Sequence, residues 1–217
     1  MDINIAHIEE NLMAACNGLD KEKTGLVRIQ SLQRVLFEDK KLVLTPFQIN
    51  VLLGYAKPNA AGLVEYAVFA KKCHHLIDSM FTVEAMRRKA QFVQLGTFRR
   101  DQVTMNEYND IELFKVFRNF DENQNGFLEL GEYAECISRF DQLNLSDNEI
   151  LTLSLACDVN GDGRIDYQEF MKHFKDLVYL IKFHHELQTM YDEEVRALAD
   201  KESQGASPVR QEVELDV

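Results

Sequence analysis

No apolar run in this chain approaches the 18 residues that a membrane-spanning helix requires, so no membrane insertion is expected. The first ten residues, MDINIAHIEE, lack the basic-then-apolar order of a secretory signal, and position two is not glycine, which argues against N-myristoylation. Cysteine is scarce: Cys16, Cys73, Cys136 and Cys157 stand singly, without a Cys-x-x-Cys pair. They are expected as reduced, buried thiols of a cytoplasmic protein. There is no glycine-rich phosphate loop and no signal of a nucleophile beside an activating base, so no enzyme is expected. The pairs His74-His75 and His184-His185 do not make a zinc site, because adjacent residues on a helix point about 100° apart and no His-Glu-x-x-His accompanies them. Basic charge is short as well. The formal net charge is −12 over 217 residues. It is split unevenly, with 14 Lys/Arg against 11 Asp/Glu in residues 1–106 and 10 against 25 in residues 107–217. An acidic carboxyl half argues against a nucleic-acid partner, which calls for a basic face, and suits cations or basic segments.

What is present is oxygen at regular intervals. Two twelve-residue segments, Asp121–Glu132 (DENQNGFLELGE) and Asp158–Glu169 (DVNGDGRIDYQE), carry oxygen side chains at positions one, three, five, nine and twelve, with glycine at position six. A hard Ca²⁺ ion takes such a set: side chains spaced along one loop, a backbone carbonyl at position seven and a bidentate Glu at the end. Glycine at six lets the loop turn sharply enough for both halves to face one ion. Each segment is flanked by helical periodicity. Leu113, Phe117 and Phe120 lie on one face before the first, and Tyr133, Cys136, Ile137 and Phe140 follow it. Ser146–Glu149 is a capping box that opens the next helix; Ile150 and Leu153 line its inner face, and Phe170, Phe174, Leu177 and Ile181 follow the second loop.

The two loops start 37 residues apart, and the same interval recurs upstream. Gly25 and Gly62 fall at position six of loops starting at Asp20 and Lys57, and Leu12, Cys16 and Leu19 repeat the preceding stripe. Thr45-Pro46-Phe47-Gln48 opens a helix as Ser146–Glu149 does. Gly62–Lys71 (GLVEYAVFAK) aligns without a gap to Gly163–Lys172 (GRIDYQEFMK). The ligands are gone from these copies: the first has Arg28 at nine and Ser31 at twelve, the second Lys57 at one, Ala61 at five and Val68 at twelve. No ion is expected in either. The apolar position-eight residues Val27, Val64, Leu128 and Ile165 persist, and they are expected to join the loops of each pair through a short two-stranded contact.

On these residues the chain resembles the four-EF-hand proteins of the calmodulin superfamily over roughly residues 5–180. The resemblance implies an all-α fold of two lobes. The expected divisions are a metal-silent pair at 1–82, a linker at 83–106, a Ca²⁺-binding pair at 107–182, and a helical extension with a polar tail at 183–217. Matching the family's loop pattern gives the third-loop ligands as Asp121, Asn123, Asn125, the Phe127 carbonyl, Glu129 and Glu132. The fourth-loop ligands are Asp158, Asn160, Asp162, the Arg164 carbonyl, Asp166 and Glu169. Two Ca²⁺ ions are implied, with Mg²⁺ as a substitute at low Ca²⁺. The fourth site, with four carboxylates against three, is expected to be tighter, both within roughly 10⁻⁸ to 10⁻⁵ M. Val116, Phe117, Ile137, Phe140, Phe174 and Val178 would line a groove for an amphipathic helix of a dedicated protein target. Met171 is the one methionine in the carboxyl pair's helices, which disfavours a promiscuous groove. The family resemblance further suggests a subunit of a larger cytoskeletal assembly such as a cilium. The linker is expected to begin as an unbroken continuation of the second unit's trailing helix through Met80, Val83 and Met86. Its basic cluster Arg87-Arg88-Lys89 faces solvent, binds an acidic partner, or folds back on the acidic carboxyl half.

Overall fold

The computed structural model describes residues 7–96, 110–140, 143–158 and 160–205. The polar link after Gly96 and the tail after Gly205 fall outside these residues. Helices dominate, and the strands are two short antiparallel pairs. The fold is all-α, of the EF-hand kind.

In the amino half, α1 (Ile8–Leu19), β1 (Leu26–Arg28) and α2 (Ile29–Glu38) form the first helix–loop–helix unit, and α3 (Pro46–Leu53), β2 (Leu63–Glu65) and α4 (Tyr66–Phe81) form the second. The strands pair with Val27 opposite Val64, as the position-eight pattern predicts. The Thr45 hydroxyl accepts from the Gln48 N–H while Gln48 Oε1 accepts from the Thr45 N–H, and Pro46 fills the first helical position, where no amide is needed. Leu12 and Cys16 are buried on the inner face of α1, whereas Leu19, expected on the same stripe, is 50% exposed at the helix end.

The carboxyl half repeats the plan with α6 (Asp110–Phe120), β3 (Phe127–Glu129), α7 (Leu130–Ser138), α8 (Asp147–Cys157), β4 (Arg164–Asp166) and the one-turn α9 (Tyr167–Phe170). Leu128 stands opposite Ile165. Ser146 and Glu149 cap α8 reciprocally. Phe117, Tyr133 and Phe170 pack ring against ring in the core, with Phe117 and Tyr133 stacked at 5.5 Å and Tyr133 and Phe170 edge-on at 5.4 Å. Of the expected groove residues, Phe117, Ile137, Phe174 and Val178 are fully buried, and Val116 and Phe140 pack partly buried around them. In this conformation the groove is closed.

Two helices differ from the sequence reading. The second unit's trailing helix does not run on. Thr82 adopts extended backbone (φ −62°, ψ 156°), and its hydroxyl accepts from Ala85 N–H, so it ends α4 and caps a separate α5 (Val83–Gln94). The apolar spacing continues across this break, which is why periodicity alone misses it. The fourth unit's trailing helix is likewise interrupted. After α9, a turn at Met171–His173, tightened by the bond from His173 N–H to the Phe170 carbonyl, redirects the chain into α10 (Phe174–Gly205), 32 residues long.

The halves pack on one another. Leu155 of α8 is buried within the amino core, and Leu151 and Leu130 lie against it. Gln33 Nε2 donates to Asn50 Oδ1 (2.8 Å) and reaches the Leu155 carbonyl (3.5 Å). Helix α3 ends at Gly54, where a Cβ would lie 2.3 Å from Thr152 Oγ1 and 2.7 Å from the Asn148 carbonyl. Only the lack of a side chain allows that approach.

Candidate metal centre

Each loop is shaped by the aspartate that starts it. Asp121 Oδ1 accepts from Asn125 N–H (3.1 Å) and Oδ2 from Gly126 N–H (2.8 Å). Asp158 repeats this with Asp162 (3.0 Å) and Gly163 (2.9 Å). Asn123 Oδ1 and Asn160 Oδ1 accept from the amides two residues on, at 3.1 Å each. Asn125 Oδ1 and Asp162 Oδ1 do the same to Phe127 N–H and Arg164 N–H, at 2.8 Å each. Side-chain oxygens at positions one, three and five are thereby held along the loop by its own amides. Gly126 and Gly163 take φ of 84°, the left-handed region that position six requires.

The remaining expected ligands sit where each loop enters its helix. Glu132 Oε2 accepts from Glu129 N–H (3.1 Å), so one of its two oxygens is engaged in starting α7. Asp166 Oδ1 accepts from Gln168 N–H (3.0 Å). Phe127 and Arg164 lie in the paired strands, opposite Asp166 and Glu129. Glu169 belongs to α9, and its side chain lies outside the described residues. Among the described residues no three His, Cys, Asp or Glu side chains close on a single point. The donors nonetheless fit a hard cation. They are all oxygens, spaced along loops already folded with the position-six turn.

The two starting aspartates differ in basicity. Burial alone would raise Asp121, but bonds from Gly126 N–H, the Tyr167 hydroxyl and Asn125 N–H outweigh it and hold the carboxyl below its ordinary value. For Asp158 burial prevails, with the Asp162 charge adding to it, over the bonds from Gly163 and Asp162, and the carboxyl is raised.

Tyr167 is a site residue that the ligand pattern does not contain. Its hydroxyl donates to Asp121 Oδ2 at 2.9 Å, crossing from the fourth loop to the third. Tyr66 is placed in the same way, its one hydroxyl proton shared between Asn17 Oδ1 (2.8 Å) and, at longer range, Asp20 Oδ2 (3.4 Å). The ungapped match of Gly62–Lys71 to Gly163–Lys172 aligns these tyrosines, which was the available signal.

The first two loops keep the scaffold without the full ligand pattern. Asp20 Oδ1 accepts from Thr24 N–H (3.0 Å) and Oδ2 from Gly25 N–H (2.7 Å). In the second loop Asn59 Oδ1 takes over, accepting from Ala61 and Leu63 N–H (2.9 and 3.1 Å). The four thiols are unpaired with one another. Three are buried and Cys157 is half-buried. Burial pushes Cys16 up to about 11 and Cys73 and Cys136 up to about 12, which makes them poor nucleophiles. No helix among the described residues is long and apolar enough to cross a membrane.

The two paired loops, each between helices and each rich in oxygen donors, lie within residues 110–175, which match the family of EF-hand domain pairs. Along more of its length the chain is similar to calcium-binding proteins. It is 24% identical over 165 residues to calcium-binding protein E63-1 of Drosophila melanogaster, covering 75% of this chain and 79% of that protein. To the probable calcium-binding protein CML17 of Arabidopsis thaliana it is 27% identical over 128 residues, 59% of this chain and 64% of that one. A shorter stretch, 67 residues at 39% identity, matches calcium-dependent protein kinase 32 of Arabidopsis thaliana, covering 31% of this chain but 12% of the kinase. The chain thus spans a small fraction of that kinase.

Proposed function

We propose that this is a calcium-binding regulatory protein whose carboxyl half holds two Ca²⁺ ions and whose whole body serves one dedicated protein target. The observation that carries the reading is the pair of pre-folded loops, each with oxygen side chains at positions one, three and five already held along the loop (Asp121, Asn123, Asn125; Asp158, Asn160, Asp162). Glu129, Glu132, Asp166 and Glu169, with the carbonyls of Phe127 and Arg164, complete the two sets. A bound ion would supply positive charge that draws these oxygens together. Mg²⁺ substitutes at low Ca²⁺ but fits less well, since it demands a tighter octahedron than a twelve-residue loop with a bidentate Glu provides. The amino half, stripped of ligands but packed in the same way, keeps its shape without an ion and offers a Ca²⁺-independent grip on an amphipathic helix of the target.

Calorimetric titration of the full chain with Ca²⁺ tests this. Two sites are expected, with Glu169→Gln costing more affinity than Glu132→Gln because the fourth set holds four carboxylates. A flat titration overturns the reading, and a harmless Glu169→Gln beside a decisive Glu132→Gln overturns the order.

A second reading is favoured by the burial of Phe117, Ile137, Phe174 and Val178. In it the protein is a structural subunit of a larger, for instance cytoskeletal, assembly, and the ions stabilise a carboxyl half that stays closed. A hydrophobic dye separates the two. Ca²⁺-dependent fluorescence supports the regulatory reading, and its absence with ions bound supports the structural one.

A further inference from the structure

The two helices of the fourth unit are both fastened outside their own half. The leading helix α8 lies on α3, with Thr152 and Asn148 against Gly54 and Leu155 inside the amino core. The trailing helix α10 crosses to the same body. Its His184 ring packs against Phe47 of α3 (6.1 Å) and Phe81 of α4 (5.8 Å). Its Gln188, 3% exposed, accepts from the buried Lys89 ammonium of α5, and its amide reaches the Ser79 carbonyl of α4 (3.4 Å) and Asp192 Oδ1 (2.8 Å). Lys89 also donates to the Met80 carbonyl (2.8 Å) and lies over the Tyr191 ring (5.6 Å), while Arg88 pairs with Glu194 (3.7 Å). Between the two helices, His185 Nδ1 stands 3.2 Å from Glu149 Oε1, on the residue that caps α8.

The same α10 is anchored at its start in the carboxyl core, where Phe174, Val178 and Ile181 are buried. A continuous helix transmits rotation. From Phe174 to Gln188 is about 21 Å, so a 10° change in the angle between α8 and α10 would carry Gln188 about 4 Å. That exceeds what the bonds to Lys89 and Ser79 tolerate. An EF-hand sensor opens by changing the angle between its two helices. Opening of the fourth unit and docking of α10 therefore exclude one another.

We propose that the silent amino half, with α5, is an intramolecular brace that holds the fourth unit closed, so that ion binding in the fourth loop and docking of residues 184–192 oppose one another. The proposal rests on the Ca²⁺ reading above. Coupling of this kind is reciprocal: whatever loosens the brace tightens the ion, and the ion loosens the brace by the same factor.

Hydrogen exchange of the full chain with and without Ca²⁺ tests one direction. Saturating Ca²⁺ is expected to slow exchange in the two carboxyl loops and to speed it about tenfold in residues 184–192 and α5. Slowed loops with unchanged or slower exchange at 184–192 overturn the brace and leave ion binding intact. Loops that do not respond overturn the ion reading, and the brace with it. The other direction uses Glu132→Gln, which leaves the fourth loop alone, with and without Lys89→Glu, which sets a carboxylate against Gln188 and Asp192. Lys89→Glu is expected to raise Ca²⁺ affinity about tenfold, and a folded variant with unchanged or weaker affinity overturns the proposal. If Lys89→Glu does not fold, the exchange measurement on the unaltered chain decides.

Discussion

The first and third loops can be laid on one another bond by bond. In both, an aspartate at position one accepts from the amides at five and six, and a tyrosine 46 residues downstream donates to the same carboxylate. In both, the carboxyl is held below its ordinary value because those bonds outweigh burial. They part at positions nine and twelve, Arg28 and Ser31 against Glu129 and Glu132. The bonds that shape the start of the loop are common to both, while the oxygens that the third loop carries at nine and twelve are replaced in the first by Arg28 and Ser31. Shape is kept in a loop whose ligand pattern is incomplete.

That separation is open to attack from several sides. The strongest is to make the third loop resemble the first: Glu132→Ser should weaken Ca²⁺ binding there by about 100-fold or more, seen by calorimetry, while amide exchange at Asn125 and Gly126 stays slow. A loop that melts would show that shape and ligation are joined. Next, Asp20→Ala removes the acceptor for two backbone amides in a loop expected to hold no ion. It should lower the unfolding temperature by several degrees and leave the Ca²⁺ titration unchanged. A changed titration would mean that the first loop is not silent.

A third test uses acid. Burial first, then the charges of Lys89 and His185, push His184 down to about 4, so the fold holds it neutral. The unfolded chain takes up that proton near 6.5. The stability His184 contributes is therefore whole above about 6.5 and is lost as pH falls toward 4. His184→Phe, fitting between Phe47 and Phe81, should flatten the fall in unfolding temperature over that window, and an unaltered slope would refute the assignment. Its neighbour runs the other way, since the bond to Glu149 raises His185 and that contribution fades as pH rises through the raised value. The smallest effects belong to the tyrosines. Tyr66→Phe and Tyr167→Phe should each lower the unfolding temperature by about 2–4 °C, with Tyr167→Phe alone altering the Ca²⁺ titration.

Much of this was legible in the chain. The positions of the loops, the pairing of Val27 with Val64 and of Leu128 with Ile165, and the caps at Thr45 and Ser146 follow from local rules, because each depends on residues a few places apart or one repeat apart. What eluded the sequence depends on distant neighbours. The break at Thr82 hides inside an unbroken apolar stripe, and no proline or glycine marks the turn at Met171–His173. Lys89 sits in a run of three basic residues and nothing local separates it from Arg87, which pairs with Glu84 at the surface. Only the arrival of α10 buries it, where desolvation lowers its ammonium to about 8 despite the nearby Asp192 charge. Within that cluster Lys89 and Arg88 fold back on α10 of the carboxyl half, while Arg87 stays at the surface.

Gly54 makes the joint between the halves unusually easy to probe. At most surface positions a methyl group is a negligible change, but here the space for it is filled by Thr152 Oγ1 and the Asn148 carbonyl. Gly54→Ala would act as a wedge one carbon thick, driven between two bodies whose own cores it leaves untouched. The close approach of α3 to α8 depends on residue 54 carrying a hydrogen where every other amino acid carries a carbon.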